Sequence, residues 1–452
     1  MKRTILLLPF LLFSITAVQS QNLPRKGWLG VQFENLPDEE IRNLELSHEG
    51  AVRVLQVVAG GSASMAGVQV NDIIVGCNGM VINRVSDLSD VASGFRAGDK
   101  LEIHVLRNHE RMTLNGIVQA RPFEAAVNGE VIYGELPYMQ GYIRTILNKP
   151  EGEGPFPAVF YLQGFPCASV DNMPPNSTAK QLIEGLVDRG YAVFRMEKPG
   201  VGDSYNLPDC RQIDYDTELN AFMQGLVHLK TMHFIDHSNV FLFGHSLGGV
   251  TAPLMAVENP PKGIIVYGTV LKSWAEYLMD IIREQRQLRG FDFLEIEHDA
   301  RVMFPLLNDY LVHKMSPFKL AENNQEYAAL LASSLGFNEE GLILDRHYTF
   351  WQQIQDKNLT EAWKEAGVFT LAIYGEADIA AINPKGHETI AAIVNAYHPG
   401  KGRYLLLPET DHGLLRTGTM EENLKLTNAE RWSKPFNNQI VDIIDDWMQG
   451  LL

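Results

Sequence analysis

The sequence predicts an α/β protein in which a doubly wound, mostly parallel sheet follows a smaller β-rich unit. From Ala158 onward, short apolar runs alternate with helix-like segments, as expected for parallel strands that are covered on both faces. Before Ala120 the chain instead carries short β-rich runs separated by turn signals. A chain of 452 residues with 45% hydrophobic residues is long enough for two or three such units.

The first twenty residues are typical of a secretory signal peptide. Lys2 and Arg3 precede an apolar stretch over residues 5–13, and small residues follow up to Ser20. This apolar stretch is shorter than the roughly 20 residues that span a bilayer. We therefore expect a signal peptide over residues 1–20, cleavage near Ser20-Gln21, and an exported protein, periplasmic or extracellular, without stable membrane insertion afterwards. An uncleaved N-terminal anchor is the alternative.

Charge and motif content exclude several classes of function. The formal net charge of −17, with no block of Lys and Arg, argues against a nucleic-acid partner. The sequence contains no His-Glu-x-x-His, no phosphate-binding Gly-x-x-x-x-Gly-Lys-Ser and no Cys-x-x-Cys, so we expect neither a metal nor a cofactor. Among the three cysteines, Cys77 lies in an apolar strand and is expected to be buried. The sequence leaves open whether Cys167 and Cys210 form a disulfide, because it does not give the distance between them.

The β-rich unit extends over residues 24–121. Its strand candidates are residues 28–33, 51–58 and 72–77, and residues 61–67 form a short helix that Gly67 closes. Its distinctive short motifs are Trp28-Leu29-Gly30-Val31, Gly61-Ser62, Asp72-Ile73-Ile74, Asn78-Gly79 and Ala97-Gly98-Asp99.

Together these motifs resemble a PDZ domain of the permuted kind found in exported bacterial serine proteases. The resemblance implies that an extended peptide adds a strand to the sheet, with backbone N–H groups of Leu29, Gly30 and Val31 around its terminal carboxylate. A peptide or protein C-terminus is then a partner. The alternative is a docking or autoinhibitory module without a free peptide ligand.

Arg121-Pro122-Phe123 marks the boundary to a second unit, over residues 127–452. An Asn128-Gly129 turn signal precedes a strand pair, and alternating strands and helices follow. The strand candidates are residues 130–136, 142–147, 158–162, 191–194, 240–243, 263–267, 369–374 and 404–407. The helix candidates are residues 179–188, 217–232 and 438–448.

A Gly-x-Ser-x-Gly pentapeptide, from Gly244 to Gly248, connects the apolar run 240–243 to a helix-like stretch. A side chain presented at the apex of a sharp strand-to-helix turn brings backbone close together, which glycine tolerates on either side. We interpret Ser246 as a nucleophile. The turn also places the Leu247 N–H at a helix N-terminus, where it can stabilise an oxyanion.

The order of these elements resembles the α/β-hydrolase fold from residue 131 to the C-terminus. The resemblance implies an acid at Asp378, in the strand-ending Gly-x-x-Asp, with Glu376 as the alternative. It implies a base at His412, in a His-Gly loop after the last strand. A Ser hydroxyl needs such a pair, because the His removes its proton and the acid orients the imidazole.

The same resemblance implies a second oxyanion donor, the Phe165 N–H, in a loop where Gln163 replaces the family's His. Four further groups have structural interpretations. Asp411 is expected to be a solvated neighbour of the base, His245 and His387 are expected to be structural, and the turn over residues 200–204 is expected to be structural.

Roughly 100 residues separate the strands ending at Tyr267 and beginning at Phe369, far more than an ordinary connection. We expect an inserted helical lid over about 271–365, with a helical layer away from the site as the alternative. The resulting hypothesis is an exported serine hydrolase that cleaves small-molecule carboxylic esters through an acyl-enzyme. A peptidase resembling prolyl oligopeptidases and a non-catalytic PDZ peptide-binding adaptor are the alternatives.

Overall fold

A computed structural model describes residues 23–44 and 50–452. The signal peptide expected over residues 1–20 lies outside these described residues. Within them, no helix has both the length and the apolar character needed to cross a membrane.

The N-terminal unit is built on an antiparallel sheet with the strand order β1-β2-β3-β5-β6 and with β4 paired to β3. Its core collects apolar side chains from the strands, from Leu88 of the helix α3 and from Phe95, which directly follows that helix. The elements are β1 Val31–Asn35, α1 Asp38–Asn43, β2 Val52–Val57, α2 Ser62–Ala66, β3 Ile73–Cys77, β4 Met80–Val81, α3 Val85–Gly94, β5 Lys100–Arg107 and β6 Glu110–Ile117.

The first strand of this unit begins three residues later than the sequence pattern predicts. Trp28, Leu29 and Gly30 form a loop instead, because the carbonyls of Trp28 and Leu29 accept hydrogen bonds from the first amides of α2, Ser62 and Ala63. The predicted helix is confirmed, and Gly67 ends it with φ +90°.

The C-terminal unit is an eight-stranded, mostly parallel sheet with helices on both faces, which confirms the predicted α/β-hydrolase architecture. The strand order is β16-β15-β12-β11-β9-β10-β8-β7, antiparallel where β8 meets β10 and β7. The elements before the insertion are β7 Glu130–Tyr138, β8 Gly141–Lys149, β9 Phe156–Leu162, α4 Thr178–Val187, β10 Ala192–Met196, α5 Tyr215–Leu229, β11 Ile235–His245, α6 Gly248–Glu258 and β12 Gly263–Tyr267.

An insertion of helices separates β12 from β15. Its helices are α7 Trp274–Asp280, α8 Arg286–Leu288, α9 Phe293–Leu307, α10 Pro317–Asn323, α11 Gln325–Leu335, α12 Tyr348–Gln355 and α13 Leu359–Ala366, with the small hairpin β13 Leu342–Ile343 and β14 Arg346–His347. The chain then completes the sheet and its cover with β15 Phe369–Gly375, α14 Lys385–Tyr397, β16 Gly402–Leu407, α15 Met420–Lys425, α16 Asn428–Trp432 and α17 Gln439–Gln449.

Both faces of the sheet are buried, and alternate residues of β9 show how. Phe160 and Leu162 belong to the core that contains α5, α6 and the insertion, whereas Val159 and Tyr161 belong to the core under α4 and α17. Side chains alternate between the faces of a strand, so an all-apolar strand serves two cores at once.

A buried ionic contact joins the two units. Arg25, which precedes the first sheet, donates to Asp171 at 2.5 Å and to Asp203 at 2.6 Å in the second unit. Its guanidinium lies over the rings of Phe123 and Tyr133, at 4.5 and 5.0 Å from their centroids. Because the Arg25 side chain is only 6% exposed, the two units share a buried, charged interface.

The structure resolves the question left open for the cysteines. Cys167 and Cys210 form a disulfide, and Cys77 is a buried free thiol in β3.

Candidate active site

The carboxyl ends of five neighbouring parallel strands meet at one edge of the sheet. Phe165 follows β9, Ser246 follows β11, Gly268 follows β12, Asp378 follows β15 and His412 follows β16. Loops at this edge converge, so residues that are far apart in sequence come to surround one point.

Ser246 lies at the sharp turn between β11 and α6, and its φ of +54° falls in the left-handed region. A Cβ on Gly244 would lie 2.5 Å from the Gly248 carbonyl oxygen, and a Cβ on Gly248 would collide with the Leu162 carbonyl. The motif glycines are therefore required sterically. The Ser246 N–H donates to the Tyr267 carbonyl at 2.9 Å, which fixes the turn against β12.

Asp378 and His412 are in hydrogen-bond contact. The His412 Nδ1 lies 2.9 and 3.0 Å from the two Asp378 carboxylate oxygens, and the amides of Ala380 and Ala381 each donate to Oδ1 at 2.9 Å. Burial alone would raise the pKa of Asp378, but His412 and the Ala381 amide hold it below its usual value. Burial alone would lower the pKa of His412, but the Asp378 carboxylate raises it.

Ser246 and His412 line the same two cavities, yet no hydrogen bond between described residues joins the Ser246 Oγ to His412. Such contacts are often long before substrate binds and tighten in the reacting complex. The alternative acid, Glu376, is engaged elsewhere, since it accepts from the Glu409 N–H at 2.8 Å.

Asp411 is buried and not solvated, so the expectation for this residue is wrong. Its Oδ1 accepts from the amides of Gly413 and Leu415 at 2.9 Å each, and its Oδ2 accepts from Arg431 Nε at 2.5 Å. The carboxylate turns back onto its own loop and thereby shapes the segment that carries His412.

His245 also supports that segment. Its Nε2 lies 2.8 Å from the His412 carbonyl oxygen, and burial lowers its pKa to about 4. The neutral ring therefore donates to this carbonyl from Nε2. His387 is fully buried and accepts from the Thr269 N–H at 3.1 Å, and burial lowers its pKa to about 4 as well. Both histidines have structural contacts, as expected.

Gly268 is a site residue that the sequence analysis missed. Its φ is +63°, and a Cβ there would lie 2.7 Å from Asp378 Oδ2 and 2.8 Å from His412 Nδ1. Only a residue without a side chain leaves room for this pair. The available signal was a glycine directly after β12, the strand next to the one that precedes Ser246.

Leu247 directly follows Ser246, and Phe165 lies in the loop after β9. Neither backbone amide is the donor in a hydrogen bond between described residues. The Phe165 loop approaches closely, because a Cβ on Gly164 would lie 3.3 Å from the Ser246 Cβ. Two such amides can stabilise a developing oxyanion.

Two cavities meet at Ser246. The first, about 450 Å³, extends beneath the loop after β9 and is lined by Tyr161, Gln163, Gly164, Phe165, Pro166, Ala168, Ser169, Val170, Met173, Pro174, Ser177, Ala179, His245, Ser246 and His412. The second, about 260 Å³, extends beneath the insertion and is lined by Phe165, Ser246, Leu247, Gly268, Val270, Trp274, Tyr277, Ile281, Leu344, Trp351, Ala380 and His412.

The insertion therefore forms one wall of the site. Trp274 of α7 and Trp351 of α12 stack with ring centroids 4.4 Å apart, and Tyr277 donates to the Ala380 carbonyl at 2.9 Å. None of the described residues that line either cavity is Asp, Glu, Lys or Arg.

In the N-terminal unit, Leu29, Gly30 and Val31 lie where the loop enters the edge strand β1. Among the described strands, β1 pairs with β2 alone, and the Gly30 φ is +69°. The amides of Leu29 and Gly30 donate to no acceptor in the described part of the chain. An edge strand with free amides at its start is the geometry on which PDZ domains add a peptide strand.

Comparison with known proteins supports both units. A family model described as "Serine aminopeptidase, S33" matches residues 177–415, and a PDZ domain model matches residues 27–118. One curated relative is "Probable periplasmic serine endoprotease DegP-like" of Pseudomonas putida (strain GB-1), 32% identical over 101 residues that cover 22% of this chain and 21% of that protein.

A second curated relative is "Esterase EstD" of Thermotoga maritima, 26% identical over 140 residues that cover 31% of this chain and 33% of that protein. Both matches span a third or less of the relative's length. Among solved structures, Est1E from Butyrivibrio proteoclasticus with bound ferulic acid has a TM-score of 0.44 and 13% identity, covering 70% of this chain and 98% of that one. Because the S33 model matches more than half of the chain, this protein belongs to the serine aminopeptidase S33 family of α/β-hydrolases and carries a PDZ domain before its hydrolase domain.

Proposed function

We propose that this chain is a serine hydrolase that cleaves carboxylic esters with an uncharged acyl group. Ser246 Oγ attacks the ester carbonyl while His412 takes its proton, and Asp378 stabilises the imidazolium. The amides of Leu247 and Phe165 hold the oxyanion. His412 then protonates the departing alcohol, and the acyl-enzyme is hydrolysed by a water molecule that His412 deprotonates.

The observation that carries this proposal is the placement of Ser246, at a left-handed turn between two cavities that His412, paired with the buried Asp378, also lines. Two cavities that meet at the nucleophile suit a substrate with a group on each side of its carbonyl.

The name of the family raises the alternative of an aminopeptidase. Such an enzyme must hold the α-ammonium of its substrate, and a buried ammonium without a partner carries a penalty of several kcal/mol. No carboxylate lines either cavity within the described residues. Asp378 is not available for this role, because His412, Ala380 and Ala381 occupy its oxygens. The site therefore favours an uncharged acyl group.

A hydrolysis panel on the mature chain tests this proposal. p-Nitrophenyl esters of increasing acyl length are compared with aminoacyl p-nitroanilides, using Ser246→Ala and the matched control Ser238→Ala. Ser238 is an exposed serine of the same strand, β11. We expect ester turnover that falls by about 10³-fold or more in Ser246→Ala and persists in Ser238→Ala. Faster turnover of the anilides would identify a peptidase, and equal ester turnover in the two variants would exclude Ser246 as nucleophile.

We further propose that the PDZ domain binds a peptide C-terminus at β1, with the amides of Leu29, Gly30 and Val31 around the carboxylate. Fluorescence anisotropy with a labelled peptide and its C-terminally amidated form tests this. Binding that does not distinguish the two forms would contradict a carboxylate site.

We also infer that the protein is exported. The Cys167–Cys210 disulfide suits an oxidising compartment, and the named PDZ relative is described as periplasmic. Fractionation of cells that produce the full chain, with N-terminal sequencing of the product, tests export and cleavage. Recovery of the uncleaved chain in the cytoplasm would contradict it.

A further inference from the structure

The loop that presents the Phe165 N–H is held from behind by two buried cations. Lys198 Nζ donates to the carbonyls of Gly164 at 2.7 Å and Phe165 at 3.0 Å, and Arg346 Nη1 donates to the Phe165 carbonyl at 2.9 Å. Glu218 Oε1 lies 3.0 Å from Lys198 Nζ, and its Oε2 lies 2.8 Å from Arg346 Nη2, the latter an ionic contact without hydrogen-bond alignment. The side chains of both cations are 0% exposed.

Stability alone is a poor explanation for this cluster. Burying charges carries a large desolvation penalty, and well-packed apolar residues often serve stability equally well. Here two cations share one carboxylate, and burial lowers the pKa of Lys198 to about 8. The hydrogen bonds of the cations instead hold two consecutive backbone carbonyls, those of Gly164 and Phe165, in place.

The geometry of the peptide bond gives that hold a consequence at the site. The Gly164 carbonyl and the Phe165 N–H belong to one planar peptide unit and point in opposite directions. Lys198 fixes the Gly164 carbonyl and therefore the direction of the N–H. Its ammonium also polarises this peptide unit, which strengthens the N–H as a donor. Arg346 fixes the Phe165 carbonyl, which belongs to the next peptide unit, so the backbone is restrained on both sides of the Phe165 Cα. Gly164 itself lies against Ser246, because a Cβ on Gly164 would lie 3.3 Å from the Ser246 Cβ.

Arg346 reaches this loop from the insertion. It begins the short strand β14, and its guanidinium lies 3.7 Å from the Phe350 ring centroid at the start of α12. Lys198 and Glu218 come from the body of the hydrolase domain. The insertion thus contributes to the support of the loop as well as to a cavity wall.

We propose that Lys198, Glu218 and Arg346 are positioning residues that hold the Phe165 N–H in the oxyanion hole, so that this hole is complete only with the insertion in place. This inference rests on the proposed esterase function. It also explains how a loop with Gln163 in place of the family's His is supported.

The test compares Arg346→Met, Arg346→Lys and Lys198→Met with the wild-type chain. The control is Arg286→Met, which removes an insertion arginine that is paired with Asp299 and lines neither cavity. Each variant is assayed for kcat and KM on one p-nitrophenyl ester and for inhibition by an alkylboronic acid, whose tetrahedral adduct on Ser246 places an oxygen in the hole.

For Arg346→Met we expect kcat to fall about 10- to 100-fold, since losing one oxyanion donor completely costs about 10²- to 10³-fold. KM should stay within about 3-fold, because the interaction strengthens in the transition state. The inhibition constant of the boronic acid should rise by the same factor as kcat falls. Arg346→Lys should recover part of the loss, Lys198→Met should lose more because it contacts both carbonyls, and Arg286→Met should match wild type.

Two results overturn this proposal. One is an unchanged kcat and boronic acid affinity in folded Arg346→Met and Lys198→Met. The other is a rise in KM at constant kcat, which would assign the cations to ground-state binding. If Arg346→Met does not fold, Arg346→Lys and Lys198→Met decide by the same criteria. The esterase proposal fails separately if the wild-type chain hydrolyses no ester, or if Ser246→Ala is as active as wild type.

Discussion

Replacing Gly268 by Ala should separate the Asp378–His412 pair without changing any group that reacts. The added Cβ would lie 2.7 Å from Asp378 Oδ2, about 0.7 Å inside ordinary van der Waals contact at 3.4 Å. It would also lie 2.8 Å from His412 Nδ1, so the methyl group would collide with both partners of the Asp378–His412 hydrogen bond. A misplacement of about 1 Å can reduce an enzyme's rate by about 10²-fold. We therefore expect kcat/KM for the ester to fall by about 30- to 100-fold.

Gly336→Ala is the matched control for this variant. Gly336 ends α11 with the same φ of +63°, but a Cβ there would meet no atom within 4 Å. Both substitutions place an alanine in the left-handed region, at a cost of about 1–2 kcal/mol in the free energy of unfolding. Urea unfolding should show this loss in both variants, whereas steady-state kinetics should show the loss of activity in Gly268→Ala alone. Equal activity in the two variants would refute the steric argument.

Three further predictions concern charge. The pH profile of ester kcat/KM should lose activity on the acid side with a midpoint above 6.5, because catalysis needs neutral His412 and Asp378 raises its pKa. Asp378→Asn should move that midpoint to lower pH, and an unmoved midpoint would contradict the pairing. Burial raises the pKa of Glu197 from 4.5 to about 7, so the folded state binds its proton more tightly and the free energy of unfolding falls as pH rises through this range. Glu197→Gln removes this pH dependence. Its free energy of unfolding relative to wild type should therefore be about 3 kcal/mol higher at pH 8 than at pH 4, as measured by urea unfolding. The same difference from wild type at both pH values would contradict this prediction. Arg25→Met leaves Asp171 and Asp203 without the buried Arg25 guanidinium and should lower the free energy of unfolding by about 3–5 kcal/mol in thermal or urea unfolding. The control Arg42→Met, at an exposed position of α1, should not lower it. Equal stability of the two variants would contradict an interface role for Arg25.

The sequence was sufficient for features that depend on local backbone. The turn at Ser246 requires glycine on both sides, and its strand and helix are recognisable from apolar patterning, so the positions of Ser246 and of the Leu247 amide are predictable directly. Asp378 and His412 follow short apolar strands at the expected places. In a parallel sheet these strand ends lie on one edge, so the three side chains are brought together by topology.

Contacts that the order of the strands does not imply were beyond prediction. Nothing in the pattern around Arg346 indicates that it reaches a carbonyl 181 positions away, and Lys198 is hidden in a glycine-rich turn. Asp411 makes local contacts that the sequence also did not predict, because they require its side chain to turn back to the amides of Gly413 and Leu415. Gly268 is different, because only the positions of Asp378 and His412 show that a side chain there would collide with them.

The wall of the first cavity adjoins the interface between the two domains, so deleting the PDZ domain also changes the surroundings of this cavity. Ser169 and Val170 line that cavity, and both donate to Glu197, at 2.5 and 3.1 Å. The next residue is Asp171, which Arg25 binds from the N-terminal side. Deleting the PDZ domain together with Arg25 would leave a buried carboxylate without this cation beside the first cavity. Lost activity in such a deletion would therefore not show that the PDZ domain recruits substrate. A substitution in β1 that blocks peptide addition but keeps Arg25 separates recruitment from support of the cavity wall.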